Sequence, residues 1–108
     1  MAVGAERRVH ARFEVPCRVR IDRQDGQPLR TRTLNVSNGG AFFIASAVPR
    51  IGETFHVRLS VPRETSNTFF LEQFAVKAEV VRHEPRPELG EATGVAVKFE
   101  RTLSLDLP

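Results

Sequence analysis

The sequence predicts an all-β domain, most simply a closed or nearly closed six-stranded antiparallel β-barrel. Three observations support this: six segments with strand-like patterns, turn signals between them, and no convincing amphipathic helix. At 108 residues, the chain has the length of one domain. Closure of the sheet is expected because a domain this small tolerates few exposed strand edges.

The first half of the chain contains three predicted strands. Apolar and polar residues alternate over Glu14–Asp22, and Asp25-Gly26 is a typical hairpin turn. A second strand, Leu29–Val36, alternates imperfectly, which predicts a bulge or a change of burial along its length. The third, Ala41–Ala47, is apolar at both parities and is expected to be covered on both faces.

Three further segments in the second half have the period of a strand. They are Thr54–Val61, the unusually long Phe69–Arg82, and Val95–Phe99. Loops are predicted between them, at Pro62–Thr68 and at the proline-containing His83–Glu91.

The pattern divides the chain into three parts. Residues 1–12 form a flexible basic arm, residues 13–100 the barrel, and residues 101–108 a tail. The tail carries Leu103, Leu105 and Leu107 at a spacing of two, which is not a helical stripe. We therefore expect it to extend a strand or to cap the open end of the barrel.

The composition is that of an ordinary soluble domain, with 41% apolar and 27% charged residues. The longest uncharged stretch, Leu34–Pro49, is too short and too often interrupted to span a bilayer. No secretory signal is visible, and the single cysteine, Cys17, cannot form an intrachain disulfide. These features favour a cytoplasmic protein in which Cys17 is an inert core thiol.

No constellation of catalytic residues is evident. His10, His56 and His83 are far apart in the sequence, and no metal-ligand spacing occurs. The sequence therefore predicts neither an enzyme nor a bound cofactor.

The basic residues are concentrated at one end of the chain. Of the 16 lysines and arginines, 14 are arginines, and eight of these precede Thr33. A guanidinium group suits bidentate phosphate contacts and stacking on flat rings. The first third of the chain is thus the natural place to look for an anion site.

Two kinds of short motif occur. Arg8/Arg12 and Arg82/Arg86 both have the spacing RxxxR, which is weak evidence in an arginine-rich chain, and the second pair is interpreted as solvated surface in a loop. Asn35–Gly40 fits the pattern [DN]xSxxG, although a tight hairpin explains this segment, taken by itself, better than a binding site does.

Taken together, the two motifs resemble the PilZ domain. Arg8–Pro16 is followed some twenty residues later by Asn35–Gly40, and Gly94–Phe99 is similar to the last core strand of that family. The resemblance extends from about residue 6 to residue 100. It implies a six-stranded antiparallel barrel and a bacterial receptor for cyclic di-GMP.

The resemblance also assigns roles to particular residues. Arg8 and Arg12 would bind the phosphates and the Hoogsteen edge of guanine, which suits a planar guanidinium fork. Arg7 implies that an intercalated ligand dimer binds, so two ligands per chain are expected. Asn35 and Ser37 would contact the other guanine, and Gly40 would leave room for close approach of the ligand. The complete expected ligand site is Arg7, Arg8, Arg12, Asn35, Ser37, Gly39 and Gly40.

Three departures from the family pattern bear on function. Asn35 stands where aspartate is more frequent, which predicts weaker binding because a neutral amide accepts less strongly from guanine N–H groups. The helix common after the last strand is short or absent, and no output domain is attached. We therefore expect a stand-alone receptor and adaptor that signals through an unidentified protein partner or through its own dimerisation.

Two other functions fit the sequence less well. A small barrel that binds single-stranded nucleic acid would suit the basic charge and the eight phenylalanines. However, Phe55, Phe74 and Phe99 fall on the buried parity of their strands and are predicted to be core residues. The third possibility is a PilZ-like protein-interaction module that binds no nucleotide.

Overall fold

The structure is a computed structural model that describes residues 16–23, 26–46, 48–85 and 93–106. Its strands are β1 (Arg18–Asp22), β2 (Leu29–Ser37), β3 (Gly40–Ala45), β4 (Thr54–Glu64), β5 (Phe69–Pro85) and β6 (Thr93–Phe99). All neighbouring pairs are antiparallel, and the sheet closes in the order β1-β2-β3-β6-β5-β4. The predicted six-stranded barrel is confirmed, and the described residues contain no helix.

Alternation places the core inside this barrel. Most inward positions carry valine, isoleucine, leucine, phenylalanine or alanine, as on β4, where Phe55, Val57, Leu59 and Val61 are all buried; Thr33 on β2 is a buried polar exception. The predictions that Phe55 and Phe99 are core residues are confirmed, and Phe74 packs against the core while partly exposed. Strand β3 is buried at consecutive positions, as predicted from its apolar sequence.

Cys17 lies at the entrance to β1 and is completely buried. Its backbone N–H donates to Thr33 Oγ1 at 2.9 Å, and the Thr33 N–H donates to the Cys17 carbonyl at 2.8 Å. Burial raises the pKa of the Cys17 thiol, an effect opposed in part by the Thr33 hydrogen bond and by the charge of Arg63. The thiol is therefore protonated and shielded, as predicted for a core cysteine.

Two bulges interrupt the strand pairing. The β2–β3 register shifts between Thr33 and Asn35, and the β5–β6 register shifts between Val80 and Arg82. The first confirms the irregularity predicted for the second strand. A bulge inserts one extra residue on one strand and turns the side chains that follow it.

Two predicted loop boundaries are wrong. Strand β4 continues through Glu64 and β5 continues through Pro85, so neither Pro62 nor His83 begins a loop. His83 stays in the strand because β5 pairs with β6 as far as Thr93, and its Nε2 lies 2.6 Å from the Pro49 carbonyl oxygen. Residues 86–91 of the predicted loop lie outside the described residues.

The tail caps the barrel, which is one of the two outcomes expected for it. Leu103 and Leu105 are buried, with exposed fractions of 2% and 0%. Arg63 on β4 holds the same segment by donating to the carbonyl oxygens of Leu105 and Asp106. Leu107 lies outside the described residues.

Several other predictions also fall outside the described residues. They are the basic arm at residues 1–12, the start of the first strand at residues 14–15, Asp25 of the predicted hairpin turn, and Ala47. The antiparallel pairing of β1 with β2 agrees with a hairpin at that turn.

Candidate functional site

The [DN]xSxxG segment connects β2 to β3. Asn35 and Ser37 lie at the end of β2, Asn38 and Gly39 form the turn, and Gly40 begins β3. The Ser37 hydroxyl accepts a hydrogen bond from the Gly39 N–H at 3.2 Å and lies 3.5 Å from the Gly40 carbonyl oxygen. The serine therefore stabilises its own turn, which is the arrangement expected of a serine turn.

Gly40 is a glycine for a steric reason. A Cβ at this position would overlap the Val97 carbonyl oxygen on β6, because the two strands are paired there. Neither Gly39 nor Gly40 has a positive φ, so the turn needs no left-handed residue at either position. Gly40 therefore allows β3 and β6 to pack closely, a role separate from the expected one of leaving room for a ligand.

A row of paired residues runs outward from this turn across four strands. Asn35 pairs with Phe42, Phe42 with Ala96, and Ala96 with Arg82. Three interstrand spacings separate the ends of the row by about 14 Å. Asn35 and Arg82 thus face each other across a floor formed by Phe42 and Ala96.

This row forms the base of a cleft of about 300 Å³. Asn35 and Ser37 line one side, and Arg82 and Glu84 line the other. Both bulges adjoin the cleft, one immediately before Asn35 and the other immediately before Arg82. Each bulge shifts the inward–outward alternation by one residue. Asn35 and Arg82 therefore face the cleft, although earlier residues of the same parity point into the core.

Phe42, in the floor of the cleft, is almost completely buried. It is only 4% exposed although it belongs to the parity opposite the core residues Ala41 and Phe43. Its ring lies where a side chain of Gly94 would be, so the glycine on β6 makes room for it.

Arg82 is the residue that sequence reasoning missed. Its guanidinium carbon lies 6.0 Å from the centre of the Phe42 ring, at the outer limit of a cation–π contact. Its side chain is 58% exposed, and the Glu84 carboxylate is 3.8 Å away. Arg82 is solvent-exposed, as predicted for the second RxxxR pair, but its placement in a loop is wrong, because it lies within β5 and lines the cleft. Its partner in the RxxxR spacing, Arg86, is outside the described residues.

The cleft combines groups suited to a flat anionic ligand. The Asn35 amide can both donate to and accept from the edge of a base. The Arg82 guanidinium can pair bidentately with a phosphate or stack on a purine face. Within the described residues, no cluster of histidine, cysteine or carboxylate groups is placed to hold a metal ion.

The expected site residues divide into two groups. The structure brings Asn35, Ser37 and Gly40 together on one cleft, with Gly39 in the adjoining turn. Arg7, Arg8 and Arg12 lie outside the described residues, so their position relative to Asn35 remains a prediction. No helix in the described part of the chain has the length and apolarity needed to cross a membrane.

Two solved structures share this fold. The inhibitor of motility MotI/DgrA from Bacillus subtilis is 22% identical, with a TM-score of 0.76 over 93% of this chain and 46% of that one. The PilZ domain of YcgR from Escherichia coli, solved with cyclic di-GMP, is 18% identical, with a TM-score of 0.61 over 88% of this chain and 79% of that one. The chain therefore spans less than half the length of MotI/DgrA.

A search of curated proteins gave no match. The family model of the PilZ domain, in contrast, matches residues 6–107, which is nearly the whole chain. That match includes the arm, the turn and the last strand from which the resemblance was drawn. The chain belongs to the PilZ domain family.

Proposed function

We propose that this protein is a cytoplasmic receptor that binds cyclic di-GMP in the cleft between the β2–β3 turn and β5, and that it performs no catalysis. The observation that carries the proposal is the row from Asn35 to Arg82, which places an amide and a guanidinium on opposite sides of one cleft. Membership of the PilZ family, together with the similar YcgR domain solved with cyclic di-GMP, supports this choice of ligand.

The proposed contacts follow from the chemistry of each group. Asn35 and Ser37 meet the edge of one guanine, and Arg82 meets a phosphate or the face of the other base. Arg8 and Arg12 of the basic arm bind the remaining phosphate and guanine edge as the arm orders on the ligand. Arg7 provides a further stacking surface, so that two intercalated ligand molecules bind per chain.

We further propose that ligand binding changes a surface that a protein partner reads. The end of the β4–β5 hairpin supports this, since Phe69, Phe70 and Leu71 are 66%, 45% and 40% exposed. Exposed apolar groups that cluster in this way are typical of interaction sites. Arg63 connects the hairpin to the tail by bonding both Glu72 and the Leu105 carbonyl.

Isothermal titration with cyclic di-GMP tests the binding proposal. We expect micromolar affinity, a stoichiometry near two, and at least about tenfold weaker binding for Arg8→Ala and for Asn35→Ala, because each loses hydrogen bonds to the ligand. Arg58→Gln, an exposed arginine of β4 on the opposite side of the barrel, is the matched control and should bind normally. An absence of heat at tens of micromolar ligand would contradict the proposal and favour an interaction module without nucleotide.

A further inference from the structure

A second basic surface lies on the other side of the barrel. It consists of the outward-facing arginines of β1, β2 and β4, namely Arg18, Arg20, Arg30, Arg32 and Arg58, and we call it the arginine face. These side chains surround a shallow cleft of about 630 Å³. In the closed strand order β1 is opposite β6, so this face points away from the Asn35–Arg82 cleft.

The strand register places the arginines directly beside one another. Arg18 on β1 pairs with Arg32 on β2, and Arg20 on β1 pairs with both Arg30 on β2 and Arg58 on β4. Neighbouring strands are about 5 Å apart, and alternate residues on one strand about 7 Å apart. Five guanidinium groups are therefore anchored within reach of one extended anion.

Little negative charge offsets this concentration. Arg20 forms an ion pair with Asp22 at 3.0 Å. Over residues 16–23, 26–46, 48–85 and 93–106, no carboxylate forms an ion pair with Arg18, Arg30, Arg32 or Arg58. Like charges directly opposite each other on a sheet destabilise it, so folding alone does not favour this arrangement.

The lining of the arginine face identifies the kind of anion. Its other outward-facing groups are Ser60 and Gln73, and its one apolar lining residue, Val19, is 2% exposed. Protein–protein interfaces have an apolar or aromatic centre, whereas nucleic-acid interfaces are more polar and far more positive. Among the described residues, no exposed apolar or aromatic one belongs to this lining, and its charged groups are all positive, which favours a phosphate backbone over an acidic protein.

We propose that the arginine face binds the phosphate backbone of a nucleic acid without reading its sequence. Arginine forks contact phosphate oxygens bidentately, and several such contacts together release condensed counterions. This differs from the stacking platform considered from the sequence, because no aromatic residue in the described part of the chain lines the arginine face. The proposal does not depend on cyclic di-GMP binding.

Fluorescence anisotropy with a labelled DNA duplex of about 20 base pairs, at salt concentrations from about 50 to 200 mM, tests this proposal. The test variant is Arg30→Gln/Arg58→Gln, and the matched control is Arg50→Gln/Lys98→Gln, which removes the same charge elsewhere. We expect the test variant to bind the duplex roughly tenfold more weakly than wild type. The slope of its log binding constant against log salt concentration should be smaller in magnitude by about two, and the control should behave like wild type.

Three results would overturn the proposal. They are no binding of the duplex at about 50 mM salt, equal loss of affinity in both double variants, and displacement of the duplex by polyglutamate of equal charge as effectively as by unlabelled duplex. The last result would indicate an acidic protein partner. Misfolding is excluded by thermal denaturation, in which the test variant should melt no lower than wild type because like-charge pairs have been removed.

Discussion

The side-chain oxygen of Asn38 accepts a hydrogen bond from the backbone N–H of Leu105 at 2.9 Å. The Asn38 carbonyl also accepts from the Leu103 N–H at 2.8 Å. One residue of the turn that carries Ser37 and Gly39 therefore fastens the tail over the end of the barrel. The turn has a structural role besides its proposed role in binding.

This arrangement predicts that Asn38→Ala destabilises the fold by about 1–3 kcal/mol, because the half-buried Leu105 N–H loses its acceptor. Urea denaturation measures the free energy of unfolding directly. Asn38→Asp retains an oxygen acceptor and should lose less. Equal stability of wild type and Asn38→Ala would show that the Asn38 side chain contributes nothing to holding the tail.

A second prediction concerns Thr33, whose hydroxyl is fully buried and accepts from the Cys17 N–H. Thr33→Val keeps the shape of the side chain but leaves that N–H unpaired, so we expect a loss of about 1–3 kcal/mol in unfolding free energy. Thr33→Ser, which keeps the acceptor, should lose less stability than Thr33→Val. A valine variant as stable as wild type would contradict the proposed pairing.

Alkaline pH should destabilise the protein through Cys17. Burial raises the pKa of this thiol in the folded state above its ordinary value of 9.0. Above that pH the unfolded chain loses the proton more readily than the folded one, so stability falls, by at most about 1.4 kcal/mol per pH unit.

The measurement is urea denaturation at about pH 8 and about pH 10, with Cys17→Ser as the control because a serine hydroxyl does not titrate in this range. The wild type should lose more stability between the two values than the variant does. An identical loss in both proteins would assign the effect to other groups.

The identity of residue 35 should tune the affinity for cyclic di-GMP. A carboxylate makes charge-assisted hydrogen bonds to guanine N–H groups that are roughly twice as strong as those of an amide. Asn35→Asp should therefore tighten binding several-fold in isothermal titration. Weaker binding by this variant would mean that residue 35 does not accept from the base.

Arg82 should contribute through its planar fork as well as its charge. Arg82→Lys keeps the charge but loses the bidentate and stacking geometry, so we expect cyclic di-GMP to bind about tenfold more weakly, or about 1.4 kcal/mol. Arg58→Lys, on the opposite side of the barrel, is the matched control. Unchanged affinity in Arg82→Lys would remove this residue from the site.

Much of the barrel could be predicted from alternation, because a half-buried strand such as β4 shows its inward face directly in the sequence. Arg82 was missed because it follows Val80 at the inward parity of β5, where an arginine indicates a bulge rather than the end of a strand. A charged residue at a position where the alternation predicts a buried one was the sign of the bulge that the sequence contained.

The concentration of arginines before Thr33 was visible in the sequence, but their arrangement into the arginine face was not. Arg18 and Arg32 are each ordinary outward residues of their own strands, and only the register places them side by side. The register of two strands depends on both the turn between them and the face that packs in the core. Which residues lie opposite each other is therefore known only from the folded structure.

The proposed site can be located by titrating the isotopically labelled protein with cyclic di-GMP and following backbone amide shifts by NMR. We expect the largest changes at Asn35, Ser37, Gly40 and Ala96, and little change at Arg18, Arg30 and Arg58 on the opposite side. Saturating ligand that shifts only the second group, or that shifts no amide, would contradict a cyclic di-GMP site between the β2–β3 turn and Arg82.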